Sequence, residues 1–188
     1  MNLTLPTRLT VDEFLRWSMQ QERGRYELEG GRIIMMSPQN AEHAKTKARI
    51  FNALAAAIVR AGVPHYPMPD GMTVRIAGGR SYEPDALVAP LPEVSETALE
   101  IPDPVIVVEV LSPTPKSIRR DLTAKVVGYA LVPTIEHYVV VDPDERVVLH
   151  FRRRGDLLAL GDELTEGTLR LDPPGLEVPV ADLLTPHS

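Results

Sequence analysis

Two acidic residues fall on strand-like segments in the middle of the chain, where their carboxylates could do chemistry. Asp85 follows Pro84 in the segment EPDALVAP (83–90). Glu109 interrupts the apolar run VIVVEVL (105–111), which reads as a strand buried on both faces. An ionised carboxylate in such a strand is costly unless it is paired, so Glu109 predicts a partner. If the two strands are neighbours, both carboxylates reach one end of a sheet, where two carboxylates with waters and a substrate phosphate suit Mg²⁺.

Lys125 is the candidate cation for this site. It lies four residues after Asp121 and four before Tyr129, so the three share one face of a predicted helix. An ammonium there could polarise a phosphate or orient an attacking water, and a metal ion could lower the pKa of that water. A basic edge near it is predicted from Lys116, Arg119 and Arg120.

Helices and strands that would position these residues can be predicted from periodicity. Thr10 and Glu13 have capping-box spacing at the start of a short helix, and Gly30-Gly31 predicts a tight hairpin whose first arm carries Glu27. A long helix is predicted from Asn40 to its C-cap at Gly62. Strands are predicted in the segments HYPMP (65–69), GMTVRIAG (71–78), YEPDALVA (82–89) and VIVVEVL (105–111).

The second half of the chain predicts a strand-helix-strand unit. One helix over 114–132 follows the strand of Glu109, and the next strand, EHYVVVDP (136–143), would pair with it in parallel through a right-handed crossover. Residues 146–160 read as a hairpin, and the tail over 168–184 as short edge pieces.

Composition narrows the class of protein. The 188 residues fit a single domain, 1–188, and no apolar run reaches the roughly 18 residues of a membrane span. The N-terminal segment lacks the pattern of a secretion signal, so we expect a cytoplasmic protein. The chain has no cysteine, which restricts any metal to oxygen and imidazole ligands. A formal charge of −6 argues against nucleic-acid binding by bulk electrostatics but leaves room for a local basic cleft.

The order of six short motifs resembles the Uma-type family of restriction-endonuclease-like proteins, in the PD-(D/E)xK nuclease superfamily. The resemblance covers residues from about Val11 to Phe151. Its motifs are YELEGG (26–31), SPQNAEH (37–43), EPDALV (83–88), VVEVLSP (107–113), RRDLTAK followed by GYA (119–130) and EHYVVVDP (136–143).

This resemblance implies an α/β fold of the α+β type. Its restriction-endonuclease-like core is a central mixed sheet flanked by helices, with an N-terminal hairpin and a C-terminal β extension. It also implies an endonuclease that hydrolyses DNA with Mg²⁺ or Mn²⁺ and that assembles as a homodimer or higher homo-oligomer.

The same resemblance assigns roles to individual residues. Asp85 and Glu109 match the metal-binding acids, and Glu27 is a further acidic member of the catalytic set. The standard pattern places a lysine two positions after the second acid, where this chain has Leu111. Lys125 then takes the lysine's role from the following helix. Contacts to substrate are expected from His43, Lys116 and Arg120.

Each assignment has a structural alternative. Asp85 could cap a turn, Glu109 could form a buried salt bridge with Lys125, and His43 could be a surface residue of a first helical turn. Lys125 could form a simple surface pair with Asp121. At the level of function, the alternatives are a nucleic-acid-binding or assembly module that kept the fold without efficient catalysis, and an enzyme of unrelated chemistry on the same sheet.

Overall fold

The computed structural model describes residues 8–112 and 114–184. Within these ranges the chain forms five α-helices and twelve β-strands. The helices are α1 (Val11–Ser18), α2 (Ala41–Ala61), α3 (Pro115–Leu122), α4 (Ala124–Ala130) and α5 (Val180–Leu183). The strands are β1 (Tyr26–Glu29), β2 (Arg32–Met35), β3 (His65–Pro69), β4 (Val74–Ile76), β5 (Arg80–Tyr82), β6 (Ala86–Pro90), β7 (Ile106–Val110), β8 (His137–Asp142), β9 (Val147–Arg154), β10 (Leu157–Leu164), β11 (Thr168–Leu171) and β12 (Leu176–Pro179).

The predicted mixed central sheet is confirmed. Its six strands run in the order β10-β9-β8-β7-β6-β3, and only the β7–β8 pair is parallel. Strands β6 and β7 are antiparallel neighbours, with Ala86 opposite Val108. The two strand segments that carry Asp85 and Glu109 therefore lie side by side, as expected.

Apolar layers cover both faces of this sheet. Helix α2, the β11–β12 hairpin and α5 pack on one face, over residues such as Val108 and Val110. The α3–α4 segment packs on the other face, over Val107 and Leu111. Because side chains alternate along a strand, Glu109 belongs to the face of Val107 and Leu111, and it therefore faces α4.

The N-terminal elements form a smaller layer. The predicted capping box of α1 is present, because the Glu13 amide donates to Thr10 Oγ1 at 3.2 Å and the Thr10 amide donates to Glu13 Oε2 at 2.8 Å. The predicted hairpin is β1–β2, and its turn glycines have positive φ angles. This hairpin joins a four-stranded sheet of order β2-β1-β5-β4. None of the helices in the described ranges combines the length and apolarity needed to cross a membrane.

Two expectations about the second half were wrong. The single helix expected over 114–132 breaks at Thr123, whose hydroxyl donates to the Arg119 carbonyl at 2.5 Å and thereby competes with the helical hydrogen-bond pattern. The tail is not a set of edge pieces, because β11 and β12 pair with each other as a separate two-stranded sheet. Their alternating apolar residues, such as Leu169 and Val178, are buried in the core.

Candidate active site

A polar cavity of about 150 Å³ opens where β6 and β7 meet the start of α2 and the α3–α4 segment. Every residue predicted for the site except Glu27 lines it. Its charged and titratable lining consists of His43, Lys47, Asp85, Glu109, Lys116, Arg120, Asp121 and Lys125.

Lys125 is the centre of a buried charge cluster beside this cavity. Its Nζ lies 2.7 Å from Glu109 Oε1, 3.1 Å from Glu27 Oε1 and 3.5 Å from Asp121 Oδ1. The Tyr129 hydroxyl donates to the same Glu109 oxygen at 2.7 Å. Glu109 thus has the partner that its buried position requires. The Lys125–Asp121 pair is present at the expected spacing, but it is buried and not a surface pair.

Asp85 is held from two sides. The Val110 amide donates to its Oδ2 at 2.7 Å, which ties Asp85 to the neighbouring strand β7 and does not correspond to a turn cap. Its Oδ1 is ion-paired with Lys47, and His43 Nε2 lies 3.8 Å from Oδ2. His43 is therefore directed at the site acid and is not a simple surface residue of the first helical turn.

Glu27 lies outside the cavity lining and is fully buried. Its Oε1 accepts from the Glu83 amide at 3.0 Å, and its Oε2 is ion-paired with Arg120. Arg120 is also stacked over the ring of Tyr82, with its guanidinium carbon 5.4 Å from the ring centroid. Glu27 therefore acts on the cavity through the two cations that it holds, Lys125 and Arg120.

Lys47 is a site residue that the motif-based prediction missed. It lies on α2 one turn after His43, is 5% exposed, and pairs with Asp70 Oδ2 at 3.1 Å as well as with Asp85. Asp70 in turn accepts from Arg25 at 2.6 Å. The sequence does contain a signal, since Lys47 stands on the buried stripe of α2 together with Ile50.

Burial and like charge set the protonation of the central pair. Burial raises the pKa of Glu109 to about 8, because Lys125 offsets only part of an effect to which Asp85, Asp121 and Glu27 add. The pKa of Lys125 is raised although burial opposes this, since Glu109, Glu27 and Asp121 all favour the ammonium. Lys125 is therefore a fixed positive charge and not a general base.

Two further groups have shifted titrations. Burial raises the pKa of Glu27, but Lys125 and Arg120 lower it by more, so that Glu27 stays ionised. Burial lowers the pKa of His43, with Asp85 opposing part of this effect, which favours a neutral imidazole at neutral pH.

The oxygen ligands of the cavity suit a hard divalent cation that takes few of its ligands from the protein and the rest from water and substrate. Within the described residues, no three His, Asp or Glu side chains are grouped as an all-protein metal site would require. Mg²⁺ typically uses one or two carboxylates with water and phosphate, and Asp85 and Glu109 fit that pattern. Both hydrogen bonds to Glu109 use Oε1, which leaves Oε2 of this cavity-lining carboxylate for a further ligand.

The formal charge of the side chains around the cavity also favours a bound cation. The linked network contains four Lys and Arg side chains, which are Arg25, Lys47, Arg120 and Lys125. It contains six carboxylates, which are Glu27, Asp70, Glu83, Asp85, Glu109 and Asp121. With all six carboxylates ionised the network carries two more negative than positive charges, and with Glu109 protonated it carries one more, so a bound cation is favoured in both cases.

Comparisons with known proteins identify the family and the fold. A family model described as "Uma2: Putative restriction endonuclease" matches residues 11–181, and so extends past Phe151 through the β11–β12 hairpin. A solved structure described as a putative nuclease belonging to DUF820, from Anabaena variabilis ATCC 29413, has a TM-score of 0.68 and 17% identity. The alignment covers 93% of this chain and 97% of that one, and it shows a shared fold. A comparison with curated proteins gave no match.

Proposed function

The chain belongs to the Uma2 family, and from that premise we propose that it is a nuclease that hydrolyses phosphodiester bonds in DNA with the help of Mg²⁺ or Mn²⁺. One observation carries the proposal. Asp85 and Glu109 come from adjacent antiparallel strands, line one cavity, and lie beside a lysine that is held protonated. This combination of two carboxylates and an ammonium suits the hydrolysis of a phosphate ester.

In the proposed reaction a water oxygen bonds to phosphorus, one P–O ester bond breaks, and the leaving oxygen takes up a proton. A divalent cation bound to Asp85 and Glu109 would supply positive charge to the phosphate and lower the pKa of a water. Lys125 stabilises the negative charge that grows on the phosphate oxygens. Tyr129 fixes the orientation of Glu109 through its hydroxyl at 2.7 Å.

Substrate contacts are proposed for the residues at the cavity wall. Lys116 is exposed and lines the cavity, so its ammonium is available to a DNA phosphate. Arg120 is committed to Glu27 through Nη1, but its buried Nη2 has no hydrogen-bond partner within the described residues. A phosphate oxygen entering the cavity would satisfy that donor. His43, neutral and beside Asp85, would contact a water or phosphate.

A second candidate function is a nucleic-acid-binding module with this fold but without efficient catalysis. It is favoured by the ion pairs of the site itself, since Lys47 is paired with Asp85 and Lys125 with Glu109, so that each candidate metal ligand already has a cation. Leu111 at the standard lysine position favours the same alternative. The homodimer and the cytoplasmic location stay predictions.

A cleavage assay separates the two functions. Purified protein is incubated with supercoiled DNA, linear DNA and single-stranded RNA in Mg²⁺, Mn²⁺ or chelator, beside Asp85→Asn and Lys125→Met. Lys45→Met is the matched control, because Lys45 is an exposed lysine of α2 that does not line the cavity.

The nuclease proposal expects metal-dependent cutting of DNA by the wild type and by Lys45→Met, with a loss of at least about 100-fold in the two site variants. If only RNA is cut, the substrate is RNA and not DNA, and the DNA part of the proposal is wrong. DNA binding without cutting under any condition would contradict the nuclease proposal and support the binding module.

A further inference from the structure

Lys47 lies between two carboxylates at the edge of the cavity. Its Nζ is ion-paired with Asp85 Oδ1 and lies 3.1 Å from Asp70 Oδ2. The side chain is buried, so its ammonium relies on partners within the protein, which are the two acids and the side-chain oxygen of Gln39. The proposed hydrolysis does not require Lys47.

The oxygen that Lys47 holds is the one a metal ion needs. The Val110 amide donates to Asp85 Oδ2 at 2.7 Å, so Oδ1 is the oxygen better placed to bind a cation. The same Oδ1 accepts the Lys47 ammonium. Two positive charges on one carboxylate oxygen repel each other strongly in a buried site, so Lys47 and a divalent ion compete for Asp85.

Asp70 provides Lys47 with a second position. It already contacts the Lys47 ammonium, and Arg25 holds it in place through a 2.6 Å ion pair. Arg25 is itself fixed by Glu83 at 3.0 Å. A short movement of the flexible lysine side chain from Asp85 toward Asp70 would therefore keep the ammonium paired while it releases the metal ligand.

We propose that Lys47 is the resident cation of this site. It neutralises Asp85 while no metal is bound, and it transfers to Asp70 when a divalent ion takes Asp85. The inference rests on the proposed function, because it assumes the cation site at Asp85 and Glu109. It makes Lys47 a positioning residue that sets metal affinity, distinct from Lys125, which acts on the phosphate.

The experiment measures Mn²⁺ binding without DNA, by titration with detection of free Mn²⁺ by electron paramagnetic resonance. Lys47→Met removes the competitor and is expected to bind Mn²⁺ at least about tenfold more tightly than the wild type. Asp70→Asn removes the second position and is expected to bind it several-fold more weakly. Asp85→Asn removes a proposed ligand, so the Mn²⁺ binding that this variant loses is the binding at the candidate site.

Matched controls separate this exchange from a general change in charge. Lys45→Met removes an exposed lysine from the same helix, and Glu42→Gln removes an exposed carboxylate from the start of that helix, outside the cavity lining. Both are expected to stay within about twofold of the wild-type affinity. Thermal unfolding with and without Mn²⁺ is the second readout, and the rise in Tm on adding Mn²⁺ should be larger for Lys47→Met than for the wild type.

The outcomes distinguish this inference from the proposed function. If the wild type binds Mn²⁺ through Asp85 and Lys47→Met binds it no more tightly, Lys47 is not a competitor and only the inference fails. If no variant binds Mn²⁺, including Lys47→Met, the cation site itself is wrong and both proposals fall. Should Lys47→Met not fold, Asp70→Asn decides, because unchanged affinity in that variant overturns the exchange and weakened affinity beyond that of Glu42→Gln supports it.

Discussion

The Lys125 ammonium lies 2.7 Å from Glu109 Oε1, although the two residues are sixteen positions apart and on different elements. This contact fastens helix α4 to strand β7 inside the protein. It also places a permanent positive charge beside a carboxylate whose pKa is raised to about 8 by burial and neighbouring acids. One pair therefore links the stability of the fold to the proposed chemistry, and the two roles can be separated by experiment.

Lys125→Met is expected to lower the free energy of unfolding by about 3 kcal/mol. The substitution keeps most of the side-chain volume but leaves Glu109 and Asp121 buried without their cation. Urea unfolding at pH 9 measures the change, since this pH lies above the Glu109 pKa of about 8 and Glu109 is then largely ionised in the wild type. Lys45→Met, an exposed lysine on α2, should change the free energy of unfolding by less than about 0.5 kcal/mol.

The double variant Lys125→Met with Glu109→Gln tests the cause. If loss of the ion pair explains the effect, the double variant is more stable than Lys125→Met alone, because the uncompensated charge is gone. Equal stability of the double and single variants would attribute the effect to packing around α4 and not to charge.

Gly128→Ala is expected to destabilise the fold even though alanine is the better helix former. A Cβ at Gly128 would lie 2.6 Å from Tyr82 Cε2 and 2.8 Å from its hydroxyl oxygen. Tyr82 is fully buried and donates to Glu29 at 2.5 Å, so it has no room to retreat. We expect a loss of about 1–3 kcal/mol in urea unfolding.

The control for this prediction is Gly161→Ala in β10. A Cβ there would meet its nearest neighbour, the His150 carbonyl oxygen, at an ordinary 3.5 Å. A small effect at Gly161 with a gain in stability at Gly128 would show that Tyr82 can move, contrary to the tight packing described here.

Much of this fold was predictable because its cues are local. The capping box at Thr10 and the C-cap at Gly62 depend on neighbouring residues, and both were confirmed. The pairing of β6 with β7 followed from the apolar pattern, since each strand carries a buried run. The break at Thr123 was not predictable, because its neighbours favour a continuous helix and the packed position of α4 overrides them.

For the candidate site, the motifs predicted Asp85, Glu109 and Lys125, which line one cavity, but not the residue that holds Asp85. Lys47 is far from Asp85 in sequence, and only the packing of α2 against the end of the sheet brings them together. The burial of Glu27 could not be predicted from the sequence for the same reason, since a glutamate in a hairpin is usually exposed. Partners of buried charges are decided by tertiary packing, which local patterns do not encode.

Lys116→Met is expected to weaken DNA binding without affecting stability. Lys116 is exposed at the wall of the cavity, and one phosphate contact contributes about 0.9 to the slope of log affinity against log salt. Fluorescence anisotropy with labelled duplex in chelator, over a range of salt, should show a several-fold loss of affinity and a smaller slope. Lys45→Met serves again as the control, and an equal loss in both variants would indicate only a general charge effect.

His137 and His150 form a buried pair whose hydrogen bonds allow one neutral arrangement. His137 Nε2 lies 2.8 Å from the Pro173 carbonyl, which can only accept, so this nitrogen carries the proton. Its Nδ1 must then accept from His150 Nε2 at 2.9 Å, and His150 Nδ1 accepts from Arg152 Nε at 3.3 Å. A second proton on His137 would face the His150 Nε2–H. A second proton on His150 would face the Arg152 Nε–H, and Asp162, 3.4 Å from His150 Nδ1, offsets only part of that cost.

Acid is therefore expected to weaken the fold through this pair. Burial lowers the pKa of both rings, that of His150 to about 4, whereas in the unfolded chain both titrate near 6.5. The unfolded state then binds more protons between those values, so the free energy of unfolding falls by roughly 1–3 kcal/mol as pH drops from 6.5 to 4. Urea unfolding across this range measures the slope. His150→Gln keeps a donor toward His137 but does not titrate, so its slope should be shallower than that of the wild type, and an unchanged slope would assign the acid sensitivity to other groups.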